Sequence, residues 1–352
     1  MWRTVGRHLL RFLLLLFLGS LAIFGLLRIL PGNPAEIALG VTATEENVAE
    51  LSAQLGTDRP LHQQYLDWVS GMLRGDFGTS LSSGQEITPL LLDRGAVSLI
   101  LCLSSLFLAL LIAVPLGMAA TRRRWGTAIS VLSQVGIAVP SFLAAVLLVM
   151  VFSLHLGWLP ANGWIPPGED FGGFLSRLIL PVLALTVVQA SILTRYVRSA
   201  LLEVLEQDFM RTAYATGQGR GEALLSHALR NAAIPVLTVT GLQLTSLIVG
   251  AVVIEQVFVI PGLGSLLLSA VSSRDLLMVQ AIVMVLVFFT LLVNLIVDVT
   301  TTLIDPRLRA GDLPRRNSQT TQADQAAQAT TPESPQNDEG GVAKPSAEGA
   351  PA

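Results

Sequence analysis

Residues 195–235 read RYVRSALLEVLEQDFMRTAYATGQGRGEALLSHALRNAAIP and form a long polar interval between two apolar stretches. Apolar residues at helical spacing predict an amphipathic surface helix over 199–209, followed by a second short helix that starts near Arg211. Glycines between 217 and 221 are predicted to supply positive φ for the turn after it, and helix is predicted to resume at Glu222. Small residues on such helices allow a partner's side chains to approach the backbone closely. The interval is therefore predicted to dock a cytosolic partner.

The composition predicts an integral membrane protein. Hydrophobic residues make up 52% of the 352 residues and charged residues only 13%, against about a quarter charged in soluble domains. The net charge of −3 is small, and the sequence carries no pattern typical of nucleic-acid binding. The single cysteine, Cys102, lies in an apolar run and is predicted to be a small buried hydrophobe.

Six apolar stretches are each near or above the roughly 20 residues that cross the hydrocarbon as a helix. They are residues 12–27, 96–120, 128–154, 178–194, 232–254 and 276–297. Backbone polar groups in lipid must be satisfied within the segment, which favours helices. The predicted fold class is therefore an all-α integral membrane protein with six transmembrane helices. Pro140, inside the third stretch, is expected to kink its helix.

The arginines predict the orientation of the chain. They cluster in residues 3–11, 122–124 and 195–235, which all fall on one side of the predicted spans. Because basic residues concentrate in cytoplasmic loops, both termini and the 195–235 interval are predicted to be cytosolic. The segment 31–95 then lies outside.

The external segment is predicted to contain two helices. The first follows a possible capping box formed by Thr42 and Glu45 and ends at Gly56. The second runs from Pro60 to Gly75, with apolar residues recurring on one face.

Several strings along the chain resemble one family of membrane proteins. They are LPGNPA at 30–35, LGTDRP at 55–60, RGDFGTSL at 74–81, QDFMRTA at 207–213, HALRN at 227–231 and E-x-x-F-x-x-PGLG at 255–264. They resemble ABC importer permeases of the dipeptide, oligopeptide and nickel branch, in which the polar interval is the EAA coupling loop. Arg211 and Thr212 stand where the general pattern has Glu-Ala. The resemblance covers residues 9–309 and implies the type I ABC importer permease fold.

The resemblance also implies a function. The chain would be a non-catalytic permease subunit of an ATP-driven importer for di- or oligopeptides in a bacterial cytoplasmic membrane, forming half of the translocation pathway. Its partners would be a second homologous permease, two cytosolic ATP-binding subunits and an external substrate-binding protein. It would hold no cofactor, because the partner subunits bind ATP. Nickel or another small solute remains an alternative cargo.

Three sets of site residues follow from this resemblance. The residues expected to couple to the ATPase are Arg211, Thr212, Ala213, Gly217, His227, Leu229, Arg230 and Asn231, and which of them makes the main contact is left open. Uncharged polar groups expected to line the pathway are Gln134, Ser141, Gln189 and Gln243. Glu255, Pro261 and Gly262 are interpreted either as an external gate or as a stiff turn. The external helices are either a cap that meets the binding protein or a seal over the spans.

Other classes of function are less well supported by the residues. An intramembrane hydrolase needs a nucleophile and a base, yet the chain has neither a Gly-x-Ser-x-Gly nor a His-Glu-x-x-His motif. An ion-coupled carrier is disfavoured because charged residues are nearly missing from the spans. The four histidines are far apart in the sequence, so no metal site is predicted.

The predicted domain organisation has four parts. Residues 1–30 form the cytosolic N-terminus and the first span, and residues 31–95 form the external helical insertion. Residues 96–305 form the permease core with its coupling loop at 195–235. Residues 306–352 are rich in Gln, Thr, Pro, Ser, Gly and Ala and predict a disordered cytosolic tail.

Overall fold

A computed structural model describes residues 2–29, 34–40 and 43–304. Within these ranges the regular structure is helical, apart from one isolated bridge between Thr79 and Glu86. The all-α prediction is therefore confirmed. The predictions for most of the LPGNPA string, for Thr42 and for the tail from 306 onward lie outside the described residues.

Thirteen α-helices are described. They are α1 Trp2–Ile29, α2 Pro34–Leu39, α3 Glu45–Leu55, α4 Leu61–Leu73, α5 Ile87–Ala120, α6 Arg123–Ala138, α7 Ser141–Leu148, α8 Phe171–Leu205, α9 Asp208–Ala215, α10 Arg220–Ala223, α11 Leu229–Val257, α12 Leu263–Ser272 and α13 Leu276–Ile304. Helix α7 continues as a π-helix over Val149–His155, and a π-helical turn over Leu224–Ala228 joins α10 to α11.

Five helical segments of the described chain are long and apolar enough to cross a bilayer. They are α1, α5, α8, the continuous segment Arg220–Val257 and α13. Helices α6 and α7 make a sixth span if the pair is counted as one, but they are bent by 94° at a short break. Pro140 lies at the break and holds Val139 in an extended conformation, because proline disfavours helix in the residue before it. The predicted kink is thus confirmed.

The bundle is built around α5 and α8, which pack along most of their length. Their buried faces join α7 and α11 in one apolar core that includes Leu101, Ala145, Leu193 and Leu247. Helix α1 lies at the edge and packs against α13, where Phe12 meets Phe288 edge to face at 6.1 Å. A separate cluster joins the start of α5 to α12 and α13. The α12 end and the 195–235 end of the molecule are therefore opposite ends of α5.

The two helices predicted after the first span are present, with one different cap. Helix α3 begins after Thr44, whose hydroxyl accepts a hydrogen bond from the Asn47 N–H, so the N-cap is two residues later than predicted. It ends at Gly56 in the left-handed region with φ 66°. Helix α4 begins after Pro60 and is followed by Gly75 with φ 79°, as predicted.

Candidate functional site

Residues 195–232, termed here the loop unit, fold as one compact helical element. Its buried cluster is formed by Val197, Ala200, Leu201, Val204, Met210, Ala213, Ala223, Leu224, Ala228 and Ala232. Half of these side chains are alanines, which lets the helix axes come close together. Helix α9 is therefore packed at once against the end of α8 and the start of the 220–257 helix.

The boundaries of this unit differ from the sequence prediction. The amphipathic helix expected over 199–209 is the last part of α8, which runs on to Leu205 because Leu201 and Val204 extend its buried face. The helix expected from Glu222 is likewise continuous with the following span, and it passes through Pro235 without a break. Both neighbouring spans thus reach directly into the loop unit.

Only one of the three turn glycines has the predicted conformation. Gly217 has φ 90° and follows α9 in a Schellman arrangement, with the Gln218 N–H donating to the Ala213 carbonyl at 3.1 Å. Gly219 has φ −66° and is the N-cap of α10, and Gly221 lies inside that helix. The prediction of positive φ is confirmed for Gly217 and wrong for Gly219 and Gly221.

The residues predicted to couple to an ATPase fall into two groups. Arg211 and Thr212 are exposed on α9, where Arg211 lies 3.4 Å from Asp208. Ala213 differs from the expectation, since its side chain is buried in the loop unit's own cluster and does not face outward.

The second group lies where the chain turns back toward the bundle. Arg230 and Asn231 are exposed, whereas His227 and Leu229 are half-buried. The Asn231 side-chain amide donates to the His227 carbonyl at 2.9 Å, which fixes that amide against its own helix.

Sequence reasoning missed three exposed apolar side chains on the loop unit. Phe209 and Tyr214 are each 37% exposed on α9, and Leu225 is 60% exposed. The sequence prediction counted Phe209 only as one of the apolar residues of the 199–209 helix. Large apolar residues inside a polar interval were the available signal, because an exposed patch of this kind is typical of a contact surface.

Two arginines attach the loop unit to the end of α5. The Arg198 Nε donates to the Ala120 carbonyl at 3.1 Å, and the Arg220 Nη2 donates to the Thr121 carbonyl at 3.5 Å. The last carbonyls of a helix lack helical partners and carry partial negative charge, so cations are favourable there. Sequence reasoning had used these arginines only to assign orientation.

The four polar residues predicted to line a pathway are only partly brought together. Gln189 of α8 is buried, and its Oε1 accepts a hydrogen bond from the Gln243 Nε2 of α11 at 2.7 Å. Gln134 is exposed on α6, and Ser141 is half-buried at the start of α7. The amide pair thus connects the two helices that extend into the loop unit.

At the other end of α5, the start of α12 is held by Glu255. This carboxylate is 1% exposed; its Oε1 accepts from the Ser98 hydroxyl at 2.6 Å and its Oε2 from the Ser265 N–H at 2.9 Å. The Ser98 hydroxyl oxygen also accepts from the Leu263 N–H at 2.8 Å. A carboxylate is favourable at the N-terminus of a helix because of the free N–H groups and the helix dipole.

The predicted gate or turn residues form a tight turn around this carboxylate. A Cβ on Gly262 would lie 2.2 Å from the Glu255 carboxyl carbon, so no larger residue fits there without a shift. Pro261 precedes it, and Val259 has φ 53°, which is unusual for a β-branched residue. The geometry is that of a closely packed turn, and a gating role for it stays a prediction.

The other end of α12 is held by Asp275, which sequence reasoning missed. Its Oδ2 accepts from the hydroxyls of Ser80 and Ser82, and its Oδ1 accepts from the Met278 N–H at 3.1 Å, which makes it the N-cap of α13. Burial by itself would raise the pKa of Asp275, but these hydrogen bonds outweigh it and hold the pKa below its ordinary value. An acidic residue directly before an apolar run was the available signal.

We call α12 with its two carboxylates, Glu255 and Asp275, the α12 clamp. It connects four parts of the chain: the loop after α4, the start of α5, the end of α11 and the start of α13. Among the described residues, no group of three or more His, Cys, Asp or Glu side chains is arranged to hold a metal ion.

Comparison with known proteins gives two family matches that together cover most of the chain. Residues 96–310 match the family described as "Binding-protein-dependent transport system inner membrane component", and residues 1–91 match the N-terminal family of the same membrane components.

Individual relatives are similar over most of their length. A Sinorhizobium fredii protein named "Probable peptide ABC transporter permease protein" is 37% identical over 290 residues, which cover 82% of this chain and 93% of the relative. The glutathione transport system permease protein of Salmonella typhimurium is 37% identical over 315 residues, covering 88% of this chain and 99% of the relative.

Proposed function

The chain belongs to the inner membrane components of binding-protein-dependent transport systems, and from this premise we propose that it imports di- or oligopeptides as one of two permease subunits. It is an integral inner membrane protein and a non-catalytic subunit of an ABC transporter. The peptide cargo is supported by the names of relatives, which include peptide and glutathione permeases, and those names favour peptides over nickel.

The observation that carries the proposal is the construction of the loop unit. Helix α9 is packed against the ends of two membrane-spanning segments, α8 and Arg220–Val257, while its exposed residues include Phe209, Tyr214 and Arg211. A subunit that binds the exposed residues of α9 and moves would carry both spans with it, because both spans continue as helix into the loop unit. This is the mechanical requirement for converting ATP hydrolysis into a change of access.

The proposed assembly has this chain, a second homologous permease, two cytosolic ATP-binding subunits and an external substrate-binding protein. The loop unit and both termini are cytosolic, in line with the arginine distribution, and ATP is bound by the partner subunits. Helices α3, α4 and α12 then lie on the external side. The Gln189–Gln243 pair lies between the two helices that α9 displaces, and with Gln134 and Ser141 it offers uncharged hydrogen-bonding groups to a peptide backbone.

Reconstitution in vesicles tests the proposal. The complex, purified from its native membrane, is supplied with ATP on the loop-unit side, and entry of labelled di- to hexapeptides and of nickel is followed. Tyr214→Ala removes an exposed aromatic ring from α9, and Phe171→Ala is the control because Phe171 is 65% exposed at the start of α8, outside the loop unit.

We expect ATP-dependent peptide entry that Tyr214→Ala lowers about tenfold, together with loss of the ATP-binding subunits from the purified complex. The control should retain both. Peptide entry without ATP would contradict the proposal, as would full retention of the ATP-binding subunits by Tyr214→Ala. Entry of nickel in place of peptides would contradict the peptide assignment but not the proposed assembly of subunits.

A further inference from the structure

Two adjoining cavities lie between α1, α4 and α13, away from the loop unit. The first is an apolar groove of about 410 Å³, lined by residues that include Leu16, Ser20, Val69, Met72, Met284 and Phe288. The second is a polar cavity of about 280 Å³, lined by residues that include Arg28, Arg59, Gln64, Asp67, Asp76 and Gln280. Phe77 lines both, so the polar cavity continues the groove toward the end of α1.

The wall of this site is a defined aromatic cluster. The Phe24 ring lies 5.4 Å from the Tyr65 ring and 6.0 Å from the Trp68 ring, and the Tyr65 hydroxyl is 2.8 Å from the Ser20 Oγ. These contacts fix α4 on α1 above the groove. Aromatic residues with a polar end are typical of the bilayer interface.

The charges of the polar cavity are paired incompletely. Arg59 lies 3.2 Å from Asp67, which accounts for one cation and one anion. Arg28 lies over the Phe24 ring at 5.1 Å and has no carboxylate partner in the described part of the chain. Asp76 accepts from the Gly78 N–H at 2.8 Å and has no cationic partner there either. Within the described ranges, the cavity therefore presents Arg28 and Asp76 to a ligand as a cation and an anion without an ion-pair partner.

The groove is long enough for an acyl chain. Leu13, at the inner end of the groove, and Arg28 are about 22 Å apart along the axis of α1. This exceeds the thickness of half the hydrocarbon core, about 15 Å, and Arg28 is close to the outer end of the first span, where a lipid headgroup would lie. The apolar groove thus corresponds to an acyl chain of a lipid, and the charged residues of the polar cavity correspond to its headgroup.

We propose that this site binds one phospholipid with a phosphoethanolamine headgroup. Its phosphate contacts Arg28, its ammonium contacts Asp76, and one acyl chain fills the groove between α1, α4 and α13. The placement in the external leaflet rests on the topology proposed above. The lipid fills the space beneath α4 and so stabilises the attachment of α1 to the bundle.

Native mass spectrometry of the purified, delipidated complex tests this proposal. It is titrated with phosphatidylethanolamine, with phosphatidylglycerol and with diacylglycerol of the same chains, and with soluble glycerophosphoethanolamine. We expect one phosphatidylethanolamine per chain, bound about tenfold more tightly than either of the other two lipids, and weak binding of the soluble headgroup.

Four variants separate the parts of the site. Arg28→Gln should weaken phosphatidylethanolamine binding about tenfold, and Asp76→Asn should abolish the preference over phosphatidylglycerol. Met72→Trp should fill the groove and weaken all three lipids. The matched control is Arg74→Gln, since Arg74 is an exposed arginine at the end of α4 that does not line either cavity. Thermal unfolding checks that each variant is folded.

Equal binding of diacylglycerol, or equal effects of Arg28→Gln and Arg74→Gln, would overturn the headgroup assignment. Undiminished binding by Met72→Trp would overturn the acyl-chain assignment. Neither outcome depends on transport, and lipid binding by Tyr214→Ala should be unchanged. Failure of this proposal is therefore distinguishable from failure of the proposed function.

Discussion

The loop unit and the α12 clamp are both short helical elements at an end of the bundle and both have an apolar cluster, but their buried polar contacts differ. In the loop unit, helix α9 packs through apolar side chains, half of them alanine, and the unit's polar attachment to the bundle is two part-buried arginine hydrogen bonds to the end of α5. In the clamp, α12 is fixed by two carboxylates, Glu255 and Asp275, each 1% exposed and each bonded to several donors.

The difference indicates which end of the molecule can move relative to the rest of the bundle. Apolar contacts between small side chains have no required direction, so helices packed in this way can shift by small amounts. A buried carboxylate with donors on several elements loses free energy as soon as one element moves, because each unsatisfied buried group costs about 1–3 kcal/mol. We therefore expect the clamp to stay intact while the loop unit moves.

Removal of the Glu255 carboxylate should have the largest effect. Glu255→Ala leaves the Ser98 hydroxyl and the Ser265 N–H without their acceptor, and we expect a loss of about 4 kcal/mol in unfolding free energy. Thermal unfolding of the purified protein in detergent measures it. Glu222→Ala, at an exposed glutamate, is the control and should be neutral.

A pair of glycine variants sharpens this test. Gly262→Ala should mimic the loss because its Cβ would collide with the Glu255 carboxyl group, whereas nothing lies within 4 Å of a Cβ at Gly219. Equal unfolding temperatures for Gly262→Ala and Gly219→Ala would show that the turn around Glu255 is not closely packed. The proposed difference in rigidity between the α12 clamp and the loop unit would then be wrong.

Truncation of Met210 should have the next largest effect. Its side chain is fully buried in the loop unit, and Met210→Ala should cost about 3 kcal/mol by leaving a cavity. Because α9 then packs loosely, we also expect ATP-dependent uptake to fall more than binding of the ATP-binding subunits does. Met150→Ala is the matched control, because Met150 is 61% exposed and lies outside the loop unit. Parallel losses of uptake and subunit binding would mean that the packing serves docking alone.

The smallest effect should come from Asp275 and should depend on pH. The pKa of Asp275 lies below its ordinary value of 3.8, so its carboxylate stabilises the fold fully at neutral pH and loses this effect as the pH falls below about 4. Asp275→Asn should therefore cost about 2 kcal/mol at pH 7 and progressively less in acid. Thermal unfolding from pH 7 to pH 3 measures this, with Asp93→Asn at an exposed site as control. A difference that grows in acid would contradict the assigned direction.

Local patterns predicted the parts of this molecule that depend on local physics. The apolar stretches marked the spans, Gly56, Gly75 and Gly217 marked left-handed turns, and Pro140 marked a kink. The continuation of α8 to Leu205 was not predicted. A helix that extends beyond the bilayer has a buried face only where another element packs on it, here the rest of the loop unit. Helical periodicity in the sequence does not show that contact.

The α12 clamp could not be predicted because its partners are far apart in the sequence. Ser98 and Glu255 are 157 positions apart, and Ser80 and Asp275 are 195 positions apart. A lone acidic residue beside an apolar stretch is equally typical of a solvated helix end. Only the folded chain distinguishes a buried acceptor from an exposed one.

The 94° bend at Pro140 has a consequence for how the protein sits among lipids. The last carbonyls of α6 have no further helical turn to bond with, and hydrocarbon offers them no donor. Among the described residues, Ala138 and Pro140 at this bend are exposed and Val139 between them is half-buried. In a membrane these carbonyls therefore need donors from water or from another polypeptide chain. The bilayer thus favours assemblies in which such a neighbour lies beside this helix pair.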